Sequence, residues 1–158
     1  MKKYELTEET KVISGKTLFR IRALRSFGDI KAGDLGGFIE NERNLSHGGN
    51  AWVGDNAQVG GNAQVGGDAW VDGDAWVNGD GLINSNNDYL CEKGLGSHNR
   101  SASFFKCKDG HIHVLCGCFS GNLDEFENKV KEEHGNSKYA KEYLGFIEVV
   151  KTHFEVRQ

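Results

Sequence analysis

The residues with the clearest potential chemistry are four cysteines, because four thiolates can hold a Zn²⁺ ion. They are Cys91, Cys107, Cys116 and Cys118. Three of them follow one another closely, but none forms the Cys-x-x-Cys knuckle that zinc sites commonly use. Free cysteine is also among the most buried residue types. The pattern therefore favours core cysteines over a metal site, and we predict no cofactor.

A predicted hairpin positions three of these cysteines. Asp109-Gly110 lies between two alternating segments, which is a strong signal for a tight turn. A two-residue loop would pair Lys108 with His111. It would also pair Cys107 with Ile112. One face would then hold Phe105, Cys107, Ile112, Val114, Cys116 and Cys118. The other face would hold Lys106, Lys108, His111 and His113.

A glycine-containing loop before the hairpin is a candidate anion site. Residues 94–100 read Gly-Leu-Gly-Ser-His-Asn-Arg, and their backbone N–H groups could donate to an anion. Arg100 and Ser101 would add a guanidinium and a hydroxyl, which a nucleotide ligand could use. Most loops of this composition are only turns, and the sequence leaves both alternatives open.

The chain is organised around a six-residue repeat in residues 50–84. Aliphatic residues recur every six positions, and a small residue precedes each of them by two. The aliphatic series is Val53, Val59, Val65, Val71, Val77 and Ile83, and the small series is Ala51, Ala57, Ala63, Ala69, Ala75 and Gly81. This short period predicts a solenoid, in which each turn buries its apolar face against its neighbours. Ile39 and Leu45 extend the series, with two extra residues before Val53.

These hexads resemble those of left-handed parallel β-helix proteins, the hexapeptide-repeat group. The resemblance implies three hexads in each 18-residue coil, and therefore about three coils over residues 35–86. It also implies that the aliphatic residue and the small residue both face the interior. An 18-residue rise would set three pairs of outward side chains above one another. The pairs are Trp52 with Trp70, Gln58 with Trp76, and Gln64 with Leu82.

The outward positions predict an acidic, tryptophan-bearing surface. Its tryptophans are Trp52, Trp70 and Trp76, and exposed aromatic patches usually mark interfaces. Asp68 and Asp74 belong to a second outward series. No Lys or Arg occurs between Arg43 and Lys93, whereas this stretch contains seven acidic residues. Such a surface repels nucleic acid and favours basic partners. The tryptophans fit homo-oligomer packing, recognition of another molecule, or cover by the C-terminal segment.

Acyl transfer is the alternative function that the resemblance implies. In hexapeptide-type acyltransferases a histidine beside the coil acts as the base, and acyl-CoA lies in a cleft between subunits. His47, in the insertion before Val53, is the matching residue. The short repeat offers little cleft and no Lys or Arg for the CoA phosphates. The sequence therefore favours a protein that is not an enzyme.

The patterns divide the chain into three segments and predict a mainly β fold. Residues 1–34 would form an N-terminal β cap, residues 35–86 the hexapeptide solenoid, and residues 87–158 a C-terminal α+β segment. We expect a short strand at Tyr89–Cys91 and give the segment ββαα order from its hairpin and two helices. Asn122 and Glu125 form a capping-box pattern at the first helix, Gly135 would end it, and the second helix would begin near Ser137.

The motif Gly-Asp-Leu-Gly-Gly at residues 33–37, followed by hexads, looks like that of small phage and prophage proteins. This resemblance implies a non-catalytic accessory protein that binds and neutralises a host factor in counter-defence, either a protein or a nucleotide signal. The chain would form a homotrimer or homodimer. A purely structural assembly protein is a further alternative. Without an apolar leader or membrane span, we expect a cytoplasmic protein, in the host cytoplasm if phage-encoded.

Overall fold

Strands make up most of the regular structure, and two α-helices follow them near the C-terminus. The computed structural model describes residues 2–96 and 100–155, with only the backbone of Arg100. The chain divides into two compact units, Met1–Asn86 and Asn87–Gln158. No helix in the described ranges is both long enough and apolar enough to cross a membrane.

The N-terminal unit begins with a long hairpin. Strand β1 (Tyr4–Ile13) and strand β2 (Lys16–Ala23) pair antiparallel. Ser14 and Gly15 close the hairpin with positive φ angles of 52° and 78°, which match the right-handed twist of the two strands. Strand β2 then pairs antiparallel with strand β3 (Leu35–Ile39). The hairpin thus occupies one edge of β3.

Each hexad contributes one strand of two residues. These are β4 (Trp52–Val53), β5 (Gln58–Val59), β6 (Gln64–Val65), β7 (Trp70–Val71), β8 (Trp76–Val77) and β9 (Leu82–Ile83). Each of the first three pairs in parallel with the strand 18 residues further along the chain, so that β4 pairs with β7, β5 with β8, and β6 with β9. The three predicted side-chain pairs are therefore confirmed.

The insertion around His47 changes the spacing at the start of the repeat. Ile39 pairs with Val59, and Leu45 forms a parallel bridge with Val65. Both pairs span 20 residues instead of 18. The two residues inserted before Val53 account for this difference. A 3₁₀ helix at Glu42–Asn44 lies within the same stretch.

The aliphatic and small positions of the repeat are buried, as predicted. Each of the following is at most 1 % exposed: Ile39, Leu45, Ala51, Val53, Ala57, Val59, Ala63, Val65, Ala69, Val71, Ala75, Val77 and Ile83. Between hexads, the residue two positions after Val adopts a left-handed conformation, for example Asp55 with φ 50° and Gly61 with φ 61°. Glycine recurs at this turn position because it adopts such angles without a steric penalty.

The C-terminal unit has four strands, whereas the sequence predicted the short strand at Tyr89–Cys91 and the two strands of the hairpin. Strands β10 (Tyr89–Leu95), β11 (Arg100–Lys106), β12 (Ile112–Cys116) and β13 (Phe119–Asn122) form an antiparallel sheet in chain order. The prediction of ββαα was therefore incomplete. The sequence did not predict strand β13, because its four residues include Ser120, Gly121 and Asn122, which are poor strand formers.

The predicted register of the β11–β12 hairpin was wrong by one residue. Cys107 donates its backbone N–H to His111 O at 2.9 Å, and Lys106 pairs with Ile112. The loop therefore has three residues, with Gly110 at φ 90°, a conformation that a three-residue turn commonly requires. The shift places Cys107 on the face opposite Ile112 and Cys116, because successive side chains in a strand alternate.

Two helices pack on one face of this sheet. Helix α1 (Leu123–His134) begins with the predicted capping box between Asn122 and Glu125 and ends at Gly135. Helix α2 (Lys138–His153) begins after Ser137, whose side chain accepts from the Ala140 N–H. The shared core is Leu95, Ala102, Phe104, Ile112, Val114, Cys116, Leu123, Phe126, Val130, Ala140, Tyr143, Ile147 and Val150.

Candidate functional site

Trp52 is not part of an exposed surface, contrary to the sequence prediction. Its side chain is only 2 % exposed. The Phe27 ring meets the indole edge-on with a centroid distance of 5.4 Å, and the backbone of Gly36 lies against the indole. Residues of the N-terminal segment thus cover Trp52, although its position in the hexad points away from the repeat interior. The periodicity alone could not reveal this cover.

Trp70 and Trp76 are half-buried at outward positions of the hexads. The Trp70 indole Nε1 donates to Asn50 O at 3.1 Å, and its backbone N–H donates to Asn86 Oδ1 at 2.7 Å. Trp76 pairs with Gln58, as the 18-residue spacing required. These two tryptophans present part of their surface, whereas Trp52 presents almost none.

The acidic residues of the repeat are at its surface. The exposed carboxylates of this stretch belong to Asp55, Asp68, Asp72, Asp74 and Asp80. Two of them also link segments that are 18 residues apart in the chain. Asp68 Oδ1 accepts from the Asn50 N–H at 3.3 Å, and Asp55 Oδ2 accepts from the Gly73 N–H at 3.0 Å. The surface charge predicted from the sequence is therefore displayed in the folded unit.

The geometry around His47 does not fit a general base. Its Nδ1 accepts the Lys3 N–H at 3.1 Å, so the neutral ring carries its proton on Nε2. Nε2 lies 3.4 Å from Glu42 Oε1, and the ring stacks on Tyr4 at a centroid distance of 4.1 Å. Although His47 lines a groove of about 460 Å³ with Gln64, its neutral ring has no lone pair left to take a proton from a substrate.

A buried lysine beside His47 was not predicted. Lys3 is fully buried, and its Nζ donates to Ala51 O at 2.5 Å and to Gly48 O at 3.3 Å. Burial, followed by the nearby Arg25 charge, lowers the pKa of Lys3 to about 8, and Asp68 partly opposes this shift. Burial also raises the pKa of Tyr4 well above its usual range, since the phenol is enclosed beside Glu42.

Asn44 is a second unpredicted residue, and it joins the first hexads to the next ones. Its buried side chain donates to Ala63 O at 2.9 Å and to Gly61 O at 3.2 Å. Its Oδ1 accepts the N–H groups of Glu40 and Asn41 at 3.1 and 2.9 Å. All of its hydrogen-bonding groups are engaged within the unit, so its role is structural.

The four cysteines do not come together as a four-thiolate zinc site would require. Cys116 faces the helices, Cys107 lies on the other face of the sheet, and Cys118 is exposed in a turn. Cys91 Sγ lies 3.8 Å from Ser103 Oγ on the same side of the sheet as Cys107. Among residues 2–96 and 100–155, no three Cys, His, Asp or Glu side chains meet as a metal site.

The anion loop is shorter than the sequence indicated. Leu95 ends β10, and Arg100 and Ser101 already belong to β11. Residues 97–99 and the Arg100 side chain lie outside the described residues, and the Ser101 side chain is partly buried in the strand.

Comparison of the chain with protein-family models and with curated proteins finds no match.

Proposed function

We propose that the N-terminal unit is a non-catalytic binding module whose acidic repeat surface takes a protein partner with exposed Lys and Arg side chains. The observation that carries this proposal is the set of exposed carboxylates in a stretch without any Lys or Arg between Arg43 and Lys93. Complementary charge speeds association and selects partners of opposite sign. His47 argues against an acyltransferase, because its Nδ1 already accepts the Lys3 N–H and the neutral ring has no other nitrogen lone pair to act as a base.

The binding module rests on a second, architectural proposal: the hexads wind as a left-handed parallel β-helix of the hexapeptide-repeat group. Three observations support it. Strands separated by 18 residues pair in parallel, the Ala and Val positions are buried, and one turn separates each hexad from the next. With the phage-type motif at residues 33–37, this architecture makes neutralisation of a host protein the biological outcome we propose.

A homo-oligomer is the second candidate, and it can coexist with partner binding. Trp70 and Trp76 support it, because both remain half-exposed at outward positions of neighbouring hexads. Partly exposed aromatic side chains are enriched where subunits meet. A homotrimer is the form we propose, since hexapeptide-repeat proteins typically pack their coils in threes.

A carbodiimide crosslink tests the acidic surface directly, because this reagent joins a carboxylate to a lysine in contact with it. The chain is expressed in bacterial cells, treated and digested, and its crosslinked peptides are identified by mass spectrometry. We expect links from Asp68, Asp74 or Asp80 to lysines of one partner protein. Salt should weaken the complex, because the interaction is between exposed charges.

Matched variants separate this result from chance labelling. Asp68→Asn, Asp74→Asn and Asp80→Asn together keep the side-chain shape and remove three charges, so the complex should weaken and links to the same partner from the remaining exposed carboxylates, Asp55 and Asp72, should be lost as well. Glu132→Gln on α1 removes a charge from the other unit and should leave the links from all five aspartates unchanged. Links that persist in the triple variant, or that arise only from helix carboxylates, would reject the proposed surface.

A further inference from the structure

Four polar side chains of the C-terminal unit form a hydrogen-bonded chain that ends on a serine hydroxyl. Asp109 Oδ1 lies 2.5 Å from His111 Nδ1, and His111 Nε2 lies 3.4 Å from His113 Nδ1. His113 Nε2 lies 2.9 Å from Ser120 Oγ. The chain therefore runs from a carboxylate through two imidazoles to an alcohol.

The sheet register brings these residues to one face. Leu115 pairs with Ser120, and alternation along β12 puts His113 on the same side as Leu115. The three-residue loop places His111 on this side as well. Asp109 is fixed by a second contact, because its Oδ1 also accepts the His111 backbone N–H at 3.0 Å. Alternation along β12 and the pairing of β12 with β13 together assemble this chain.

The partners define where the protons lie. The backbone N–H and the ring of His111 hold the pKa of Asp109 below its usual value, so Asp109 is a carboxylate that accepts from His111 Nδ1–H. His111 Nε2 is then free to accept from His113 Nδ1–H. This leaves the lone pair of His113 Nε2 to accept the Ser120 hydroxyl proton.

The surroundings keep His113 neutral near pH 7. Partial burial and the neighbouring His111 lower the pKa of His113, while Glu125 acts in the opposite direction. The Phe105 ring lies 5.5 Å from the His113 ring and supplies an apolar wall. A neutral imidazole with a free Nε2 lone pair is the form that can act as a general base.

Ser120 is exposed on the edge strand β13, so an ester from solvent can reach its hydroxyl. The cavity of about 560 Å³ that α1 and α2 form with this strand lies towards the opposite face of the sheet, because Phe119 and Cys116 alternate with Ser120 and Leu115. The ester therefore meets Ser120 on the face that carries His113.

From this arrangement we infer that Ser120 is a nucleophile that takes the acyl group of a small carboxylic ester at the exposed strand β13, with His113 as its base. A nucleophile, a base within hydrogen-bonding distance and a third group that orients the base are the signature of covalent catalysis. Asp109 and His111 are positioning residues. This inference concerns the C-terminal unit and is independent of partner binding by the hexads.

The reaction needs only the ester and water. Ser120 Oγ bonds to the ester carbonyl carbon while its proton passes to His113 Nε2. The C–O bond to the alcohol breaks, and the alcohol leaves with that proton. Water then attacks the acyl carbon, gives a proton to His113, and releases the carboxylic acid as Ser120 Oγ regains its proton.

Labelling with an alkyl fluorophosphonate tests the nucleophile, and hydrolysis of p-nitrophenyl acetate tests turnover. In the full chain we expect one phosphonyl adduct on the peptide that contains Ser120. Ser120→Ala should abolish it, and His113→Gln should slow labelling by roughly 10²–10⁴-fold, the usual contribution of a general base. Ser46→Ala, which removes an exposed hydroxyl from the other unit, should label at the wild-type rate.

The pH profile distinguishes base catalysis from simple exposure of the serine. The labelling rate should be constant near neutral pH and fall in acid, as His113 becomes protonated. His111→Gln and Asp109→Asn should alter this profile, with native circular dichroism showing that the fold persists. An unlabelled Ser120 in the wild-type chain, or labelling equally fast in folded His113→Gln or His111→Gln protein, would overturn the inference.

Discussion

Lys3 is a cation enclosed by backbone carbonyls and an aromatic ring. Its Nζ lies 4.9 Å from the centroid of Phe27 and donates to two carbonyl oxygens. These contacts offset part of the loss of hydration, but the lowered pKa shows that the charged form is still disfavoured on folding. The residue therefore makes stability depend on pH.

The free energy of unfolding should rise between pH 8 and pH 10. Because the folded pKa of Lys3 is about 8 and its ordinary value is 10.5, the unfolded chain binds more protons in this window. Stability then increases with pH, by about 1–3 kcal/mol. Above pH 10 the raised pKa of Tyr4 acts oppositely, since the unfolded tyrosine loses its proton first.

Urea unfolding at several pH values, compared between wild type and Lys3→Met, measures this contribution. The variant should lose the rise between pH 8 and pH 10, whatever its stability at pH 7. Equal slopes in the two proteins would show that Lys3 does not carry the effect.

The buried positions of Lys3 and Asn44 and their contacts with backbone carbonyls could not be predicted from the sequence. A lysine at position 3 and an asparagine at position 44 read as ordinary surface residues, because nothing in their spacing reveals which backbone carbonyls will surround them. The predicted exposure of Trp52 was wrong for the same reason. Its position in the hexad was correctly predicted, but Phe27 and Gly36, from an earlier part of the chain, cover its side chain.

At the scale of the elements, the junction between β3 and the hexads depends on Gly37. This residue takes the small-residue position two before Ile39, yet a Cβ there would lie 2.5 Å from Ala57 O and 2.9 Å from Val53 Cγ1. Alanine fits the corresponding place in later hexads but not in this one. Gly37→Ala should therefore destabilise the N-terminal unit by about 1–3 kcal/mol, as overpacked cores do.

Gly145 provides the matched control for the same substitution. It is exposed in α2, and no atom lies within 4 Å of the position that its Cβ would take. Gly145→Ala should stabilise its helix by about 0.5–1 kcal/mol, since glycine is a poor helix former. Thermal unfolding of both variants measures the two shifts. A neutral Gly37→Ala variant would contradict the close packing.

The elements themselves were predictable to different degrees. The hexad strands and their partners followed from a repeat with a single consistent spacing, because every copy carries the same information. The caps of α1 and α2 followed from Asn122, Gly135 and Ser137. The hairpin register did not follow, because Asp109-Gly110 closes loops of two or three residues, and one residue changes the face of every side chain.

At the scale of the whole molecule, we expect wild-type protein to be an oligomer whose mass is about three times the 17.4 kDa of one chain. Replacing Trp70 and Trp76 together with alanine should shift the mass towards one chain, because two large aromatic contacts per subunit are lost. Multi-angle light scattering measures both masses. A wild-type monomer, or an unchanged oligomer in the variant, would reject the role proposed for these tryptophans.

The location of the tryptophans also gives the protein a built-in spectroscopic label. All three belong to the Met1–Asn86 unit, whereas both α-helices belong to the other one. Indole fluorescence therefore follows the melting of the repeat alone, dominated by the environment change of buried Trp52. Helical circular dichroism follows the other unit. A single denaturation experiment read at both signals would tell whether the two halves lose their structure together or one after the other.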